Sequence, residues 1–589
     1  GKVAVYLKAI VKIPDVKGKV ILKKRGASTY VLYQHGSDYN AERQYAVPRR
    51  TIVGKLDPER PGFMLPNEKF QEFFPDAVVV EELPEATRSC ALKMGAYAVI
   101  DRVLSEYRLP KRLSRIFGED AGLILDLVSY LLVDEDNAGQ HYPDYAFDHP
   151  LFARGMRIFS DASVCRLLQR MTRDQVEAFL DSWNEGRDRR ERIYISYDST
   201  NKNGQAGDID LLEFGHAKDD AGLPIFNLAL AFDRTNSVPL FYESYAGSIT
   251  DMAQLPYMVD RVREYGYRRV GFILDRGYFS KANIRHMEER GYAFIIMVKG
   301  CRRLVSSVVD ELRHTFETDR RCAIRAYRVN GTTVRRRLYE DDTRERYFHL
   351  YFSPSRHAAE REALELQLDR MRLMLEKNLG LPVALHSSYE EFFELDYDRD
   401  GNLVSFRERG ELVSRRIGDC GYFCIVTSEE MTAAQAIEHY KGRDISEKIF
   451  AQDKSFLGSR SMRVQSVESL SSKLFIEFLA LIVRNRIYSL LKETALRLDL
   501  RHNYMTVPAA LRELDKIELV RRSGGRYRLD HAVSKRQRTI LGAFGMDDGS
   551  VAAVANRIAN MLSSGDCPAE DTCSEEEDGY GTDPLDIID

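Results

Sequence analysis

The chain predicts an α/β protein. A mixed sheet is laid down in the order β-β-β-α-β-α-β, flanked by an N-terminal β plus helical region, interrupted by a β-rich insertion and closed by a small C-terminal module. Three observations carry this. Between residues 191 and 300, strand-length apolar runs alternate with two runs of helical length. Before them, from 86 to 190, apolar residues recur at helical spacing. After them, from 301 to 420, basic strand-like runs separate the first part of the core from the rest.

A length of 589 residues is enough for several domains, each with its own core. Residues 1–85 are β-rich: "KVAVYLKAIVKI" and "STYVLYQHG" alternate as strands, and "PERPGF" and Pro84 interrupt the remainder of that region. In 86–190, "MGAYAVIDRVLSEYRL", "DAGLILDLVSYLLV" and "TRDQVEAFLDSWNE" are helix-length segments, either a DNA-binding bundle or plain helical packing. "RIYISYD" then reads as a strand ending at Asp198, before the turn-rich "STNKNG". "LPIFNLALAFD" and "VPLFYESYAG" are strands joined across "RTNS". "ITDMAQLPYMVDRVREYGY" is a helix with Thr250 or Asp251 as N-cap. "RRVGFILDRGYF" is a fourth strand with Asp275 at its C-terminal end, "SKANIRHMEERG" a helix and "YAFIIMVKG" a fifth strand. A right-handed crossover can lay the fourth strand beside the first, making Asp198 and Asp275 neighbours at one sheet edge.

Residues 301–420 mix strands ("CAIRAYRVNG", "TTVRRRLYE", "RYFHLYFS") with one long helix, Arg356 to Asn378. The core resumes over 421–495 with "GYFCIVTS", a charged helix and the apolar "SSKLFIEFLALIVRNRIYSLL". Lys473, Glu477, Arg484 and Arg486 mark that last helix as buried core, not membrane. A helix and hairpin, "VPAALRELDKI" and "ELVRRSGGRYRLD", fall within 496–565.

Composition excludes several classes. With 44% hydrophobic and 30% charged residues the chain is ordinary for a soluble protein, and no apolar run is long enough to span a membrane. It shows no signal segment, and eight cysteines in so long a chain make no disulfide scaffold, so a reducing, cytoplasmic setting is expected. Cys420 and Cys424 form a lone C-x3-C and read as strand residues near a turn. The net charge of −4 is asymmetric: residues 566–589 carry −10, which leaves +6 on the body. So acidic a tail is expected to be disordered.

Within "HYKGRDISEKIFAQDKSF", Tyr440, Arg443, Glu447 and Lys454 are spaced 0, 3, 7 and 14 residues apart from the first. At helical pitch they fall near 0°, 300°, 340° and 320°, one stripe roughly 60° wide. Such stripes are most often solvated faces. Asp198 and Asp275, taken singly, are ordinary turn or cap residues. Together with Glu447 they make three carboxylates able to converge, a donor set suited to hard Mg²⁺ ions in phosphodiester cleavage. Arg443 and Lys454 would then pair with phosphates, and Tyr440 would donate a hydrogen bond to one. "DYDRDGN" at 396–402 imitates a calcium loop, but its twelfth position is Arg407 where a bidentate Glu is required, so it reads as a hairpin turn. "GSRSMR" lacks phosphate-loop spacing. The chain has no G-x-x-x-x-G-K-[ST], no H-E-x-x-H and no nucleophile elbow.

With Asp198, Asp275 in "DRGYF", and Y-x2-R-x3-E-x6-K as Tyr440, Arg443, Glu447 and Lys454, the chain resembles bacterial insertion-sequence transposases of the DDE class. The closest likeness is to the branch with that Tyr-Arg-Glu-Lys signature and a β-rich insertion ahead of the catalytic Glu. The resemblance implies an RNase H-like core. It implies that Asp198, Asp275 and Glu447 are catalytic and hold two Mg²⁺ (Mn²⁺ substituting), and that Tyr440, Arg443 and Lys454 bind DNA. The expected partners are terminal inverted repeats and target DNA, cut and joined by a homodimer on paired ends. Two alternatives are an RNase H-like nuclease that cuts without joining and an inactivated DNA-binding remnant. The intact carboxylates argue against the second.

Overall fold

The computed structural model describes residues 9–563 except 26–27, 42–43, 58–59, 78, 83–86, 206–224, 248, 299–301, 383–386, 443–460, 464–465, 500–502 and 522–524. The acidic segment 566–589 and the signature residues Arg443, Glu447 and Lys454 lie outside the described residues. The chain divides into two compact units, Gly1–Ser89 and Cys90–Asp589.

The first unit is an antiparallel six-stranded sheet. Its strands lie in the order Val20–Arg25, Ser28–Asn40, Tyr45–Leu56, Phe63–Pro66, Ala9–Lys12, Val79–Glu82. One face buries Val11, Val31, Val53 and Met64 against Phe70 of the helix Glu68–Phe73, which Asn67 caps by accepting from the Lys69 amide at 3.1 Å.

The second unit is mixed α/β, with many helices around a ten-stranded sheet. Its strands and helices are β1 (Ile193–Gln205), β2 (Ile225–Asp233), β3 (Val238–Ala246), α1 (Asp251–Glu264), β4 (Val270–Leu274), α2 (Lys281–Glu289) and β5 (Ala293–Met297), then β6 (Val329–Arg337), β7 (Glu345–Phe352), β8 (Tyr422–Thr427), α3 (Ala433–Lys441), β9 (Ser461–Arg463) and α4 (Val467–Arg497). The order across the sheet is β3-β2-β1-β4-β5-β8-β7-β6, ending on the short Ala323–Ile324. β1, β2 and β3 are antiparallel, and β4 runs parallel to both β1 and β5. β8, β7 and β6 continue antiparallel, so strands from 301–420 extend the core sheet.

Two sequence expectations are corrected. β1 does not end at Asp198: it runs on to Gln205, because β2 pairs with it as far as Asn203↔Ile225 and β9 pairs with residues 203–205. With those ladder bonds available, a turn-like composition does not force a turn. The expected break at "NG" before Thr332 is likewise one strand, β6. Gly331 is needed there because a Cβ would meet the Tyr351 ring at 2.8 Å. "DYDRDGN" is the hairpin turn it reads as: the Asp398 carboxylate accepts from the amides of Asp400 and Asn402 at 2.9 and 2.8 Å.

Six helices between Gly95 and Glu185 share one hydrophobic core with the sheet and α4. Trp183, the only tryptophan, is buried and donates from Nε1 to the Pro239 carbonyl at 2.9 Å. Burying an aromatic of this size contributes about 4 kcal/mol. Asn184 beside it is fully buried and fully used: its amide nitrogen donates to Leu180 and Leu240 carbonyls, and its oxygen accepts from Tyr267. α4 crosses this layer, with Ser472 donating to Leu168 at 2.7 Å. Among the described residues no helix is long and apolar enough to cross a membrane.

The C-terminal part folds as α5 (Val507–Leu514), a hairpin of Glu518–Val520 and Arg528–Leu529, α6 (Lys535–Ala543) and α7 (Asp548–Ser563). The hairpin pairs with Ala91–Lys93. Next to that junction, His149 Nδ1 lies 2.6 Å from Asp148 and its Nε2 lies 3.5 Å from Asp515 at the end of α5. Lys93 donates to Asp148 at 2.8 Å. Burial alone would push the imidazole down, but the two carboxylates outweigh it and raise its pKa to about 9.

Candidate active site

Side chains alternate faces along a strand. In β1, Tyr194, Ser196 and Asp198 therefore share one face. The parallel register of β4 pairs Ile273 with Ser196 and Leu274 with Tyr197. Asp275 comes next, so it lies level with Asp198 on the neighbouring strand, about 4.8 Å away in backbone spacing, and on the same face. Both carboxylates are half-buried. Each accepts from the amide that follows it: Asp198 Oδ1 from the Ser199 amide at 3.1 Å and Asp275 Oδ1 from the Arg276 amide at 2.6 Å.

α3 lies over that face. It starts at a capping box, Thr432 and Gln435 each accepting from the other's amide. Ala433, Ile437 and Tyr440, spaced i, i+4, i+7, are buried in one cluster with Ile273, Ile295 and Ile425 of the sheet. Tyr351 donates to the Ala433 carbonyl at 2.7 Å and pins the first turn. Tyr440 thus packs beside the strand that carries Asp275 two residues after Ile273.

The last turn of α3 is held by a residue that sequence reasoning missed. Arg234, at the β2–β3 turn, donates from Nη1 to the His439 carbonyl at 3.2 Å. A cation at a helix C-terminus also suits the macrodipole. The guanidinium lies against Gly442, where a Cβ would come within 1.7 Å of Nη2. The turn that presents Arg234 is itself fixed: buried Asp233 accepts from the amides of Thr235 and Asn236 at 2.9 and 3.0 Å. The His439 ring lies tilted against Tyr194, 4.3 Å between centroids, and burial, with the charges of Arg234 and Arg192, outweighs the charge of Glu438 and pushes its imidazole below the ordinary value. The only sequence signal for this clamp is the turn motif "DRTNS".

Asp198, Asp275 and Tyr440 are thus brought to one face, and α3 leads directly into the segment holding Arg443, Glu447 and Lys454. Residues 198–483 match the family model described as "Transposase DDE domain", just under half of the chain. That stretch is a DDE transposase domain. No curated protein matches it. Among solved structures, a piggyBac transposase synaptic complex with hairpin DNA is similar over 71% of this chain and 68% of its own, at 8% identity and a TM-score of 0.30. A Mos1 transposase paired-end complex with left transposon end is similar over 31% and 64%, at 15% identity and 0.14. The assignment rests on the family match, which begins at Asp198 itself and ends inside α4.

Enzymes of this family work with divalent cations. In this domain Asp198 and Asp275 suit such an ion in kind and placement: two hard carboxylate donors, level on adjacent strands. Among the described residues no group of three or more His, Cys, Asp or Glu is disposed to hold a metal. Cys424 is no ligand: it is buried in β8 and burial pushes its thiol up to about 12. The turn carrying Asp275 is anchored from below. Tyr278 of "DRGYF" is buried against Tyr197 on the opposite face, 5.5 Å between rings. Its carbonyl accepts from Asn283 at 3.0 Å.

Proposed function

We propose that this transposase mobilises an insertion sequence by cutting its terminal inverted repeats and joining the freed 3′-hydroxyl to target DNA. Its catalytic core is read as RNase H-like. The order β3-β2-β1-β4-β5, with an antiparallel meander and then two parallel strands, supports this reading. Asp198, Asp275 and Glu447 are the catalytic carboxylates and hold two Mg²⁺. Bound there, such ions activate the attacking oxygen and stabilise the leaving one. The chain's own part is positional: the sheet sets Asp198 and Asp275 level on adjacent strands, and Arg234 holds the C-terminal end of α3. Tyr440, Arg443 and Lys454 grip backbone phosphates near the scissile bond. The protein acts as a homodimer on paired ends in the cytoplasm. Residues 301–420 form the insertion ahead of Glu447, and 86–190 brace the core through Trp183 and Asn184.

The observation that carries this is the level placement of Asp198 and Asp275 beneath the helix that leads into Glu447. The test is incubation of the protein with DNA bearing the element's ends and a target plasmid in Mg²⁺. Joined products with the 3′ ends covalently in the target are expected. Cleaved ends that never join would instead identify a nuclease.

A further inference from the structure

We propose that the groove between α5 and α6 is a second DNA-contacting surface, one that grips the sugar–phosphate backbone of duplex DNA away from the carboxylates. The inference rests on the functional reading that DNA is the partner. Residues 503–540 carry +5 of the body's +6, so the positive charge of the chain is concentrated in this module. The groove is open, with a volume of about 730 Å³. Arg512 and Lys516 line it from α5, Lys535 and Arg536 from α6, with Asn503 and Thr539 between them. These are the side chains that bind phosphate oxygens without reading sequence.

The charge is not absorbed internally. One carboxylate, the mostly buried Glu513, serves two of the four cations: Lys516 at 2.7 Å and Arg536 at 3.6 Å. Arg512 and Lys535 are exposed, and among the described residues neither has an ion-pair partner. The Arg536 guanidinium lies over the Tyr504 ring, 5.2 Å from its centroid, a cation–π contact that favours this position before any ligand arrives. Lys535 and Arg536 also occupy the first turn of α6, the end of a helix where cations are disfavoured. A polyanion in the groove relieves that repulsion. A backbone with evenly spaced phosphates suits four cations spread over two helices better than a single small anion does.

The test uses the full chain and a short duplex of arbitrary sequence, titrated without divalent metal at 50 to 200 mM salt. The variant is Arg512→Gln with Lys535→Gln, which removes two cations that the fold itself does not use. Its melting temperature should equal that of the wild type. Its slope of log affinity against log salt should be shallower by about 1.8, so the wild type loses about tenfold more affinity across that range. Asp198→Asn should leave the slope unchanged, which separates this surface from the catalytic one. An unchanged slope in the double variant overturns the proposal. So does a change seen only after deletion of residues 564–589, which would assign the groove to the chain's own acidic C-terminal segment. A wild type that binds no duplex would overturn the functional reading itself.

Discussion

Replacing Gly442 with alanine puts a methyl group where the Arg234 guanidinium now sits, 1.7 Å from Nη2. The arginine is long and half-exposed, so it swings away and the backbone is spared. What is lost is its bond to the His439 carbonyl and its charge at the end of α3, together about 2 kcal/mol. Alanine returns about 1 kcal/mol, because Gly442 has helical φ and ψ (−58° and −19°). The net cost of Gly442→Ala is then about 1 kcal/mol, and that of Arg234→Ala about 2 kcal/mol. In the double variant the clash is already gone, so the cost should be about 1 kcal/mol and the coupling between the sites about 2 kcal/mol. Urea unfolding monitored by Trp183 fluorescence reads this directly, since the only tryptophan is buried in the same unit. Single-turnover cleavage should fall at least tenfold in each single variant, because Glu447 lies five residues after Gly442 and small misplacements at a catalytic group are costly. Additive stabilities, or cleavage unchanged in both variants, would refute the clamp.

His149→Gln should destabilise the Cys90–Asp589 unit by about 3 kcal/mol at pH 6. The His149 pKa is raised on folding from 6.5 to about 9, so its contribution is complete below about pH 6.5 and is lost as pH rises through about 9. Melting curves of wild type and variant should therefore converge above pH 9; a gap that widened there would be inconsistent. Asp126→Ala should cost about 2 kcal/mol, because its buried carboxylate accepts from the amides of Phe152 and Ala153 at 2.5 and 3.2 Å and both would lose their partner. Unchanged urea stability would show those amides find water instead. Arg443→Ala and Lys454→Ala should each flatten the salt dependence of end binding by about one unit if each holds a phosphate. An unchanged slope would return that helix stripe to an ordinary solvated face.

Much of this arrangement is legible in the sequence because its signals are local. The strands of the core announce themselves by apolar runs between turns, and Asp275 by its place after "GFIL". Thr250 caps α1 as its type and position suggest, accepting from the Ala253 amide at 3.3 Å. What stays hidden depends on partners distant in the chain. β1 overruns Asp198 because β2 and β9 offer it ladder bonds, which its own residues do not encode. Arg234 reads as one more surface charge until α3, some two hundred residues later, brings a glycine and a carbonyl against it. In sequence the helices of 86–190 read either as a DNA-binding bundle or as plain helical packing. Their apolar stripes do not say that the surface they cover is β3, through Trp183 and Asn184.

The central claim is that Asp198, Asp275 and Glu447 ligate the divalent cations used for DNA cleavage. The most direct measurement replaces each with cysteine in turn and compares strand cleavage in Mg²⁺ and Mn²⁺. A thiolate is a poor ligand for hard Mg²⁺ and a better one for Mn²⁺. Cleavage of element-end DNA should be lost in Mg²⁺ for all three variants and return in part in Mn²⁺, with end binding in metal-free buffer unchanged. A variant that still cuts at the wild-type rate in Mg²⁺ would contradict the account for that residue.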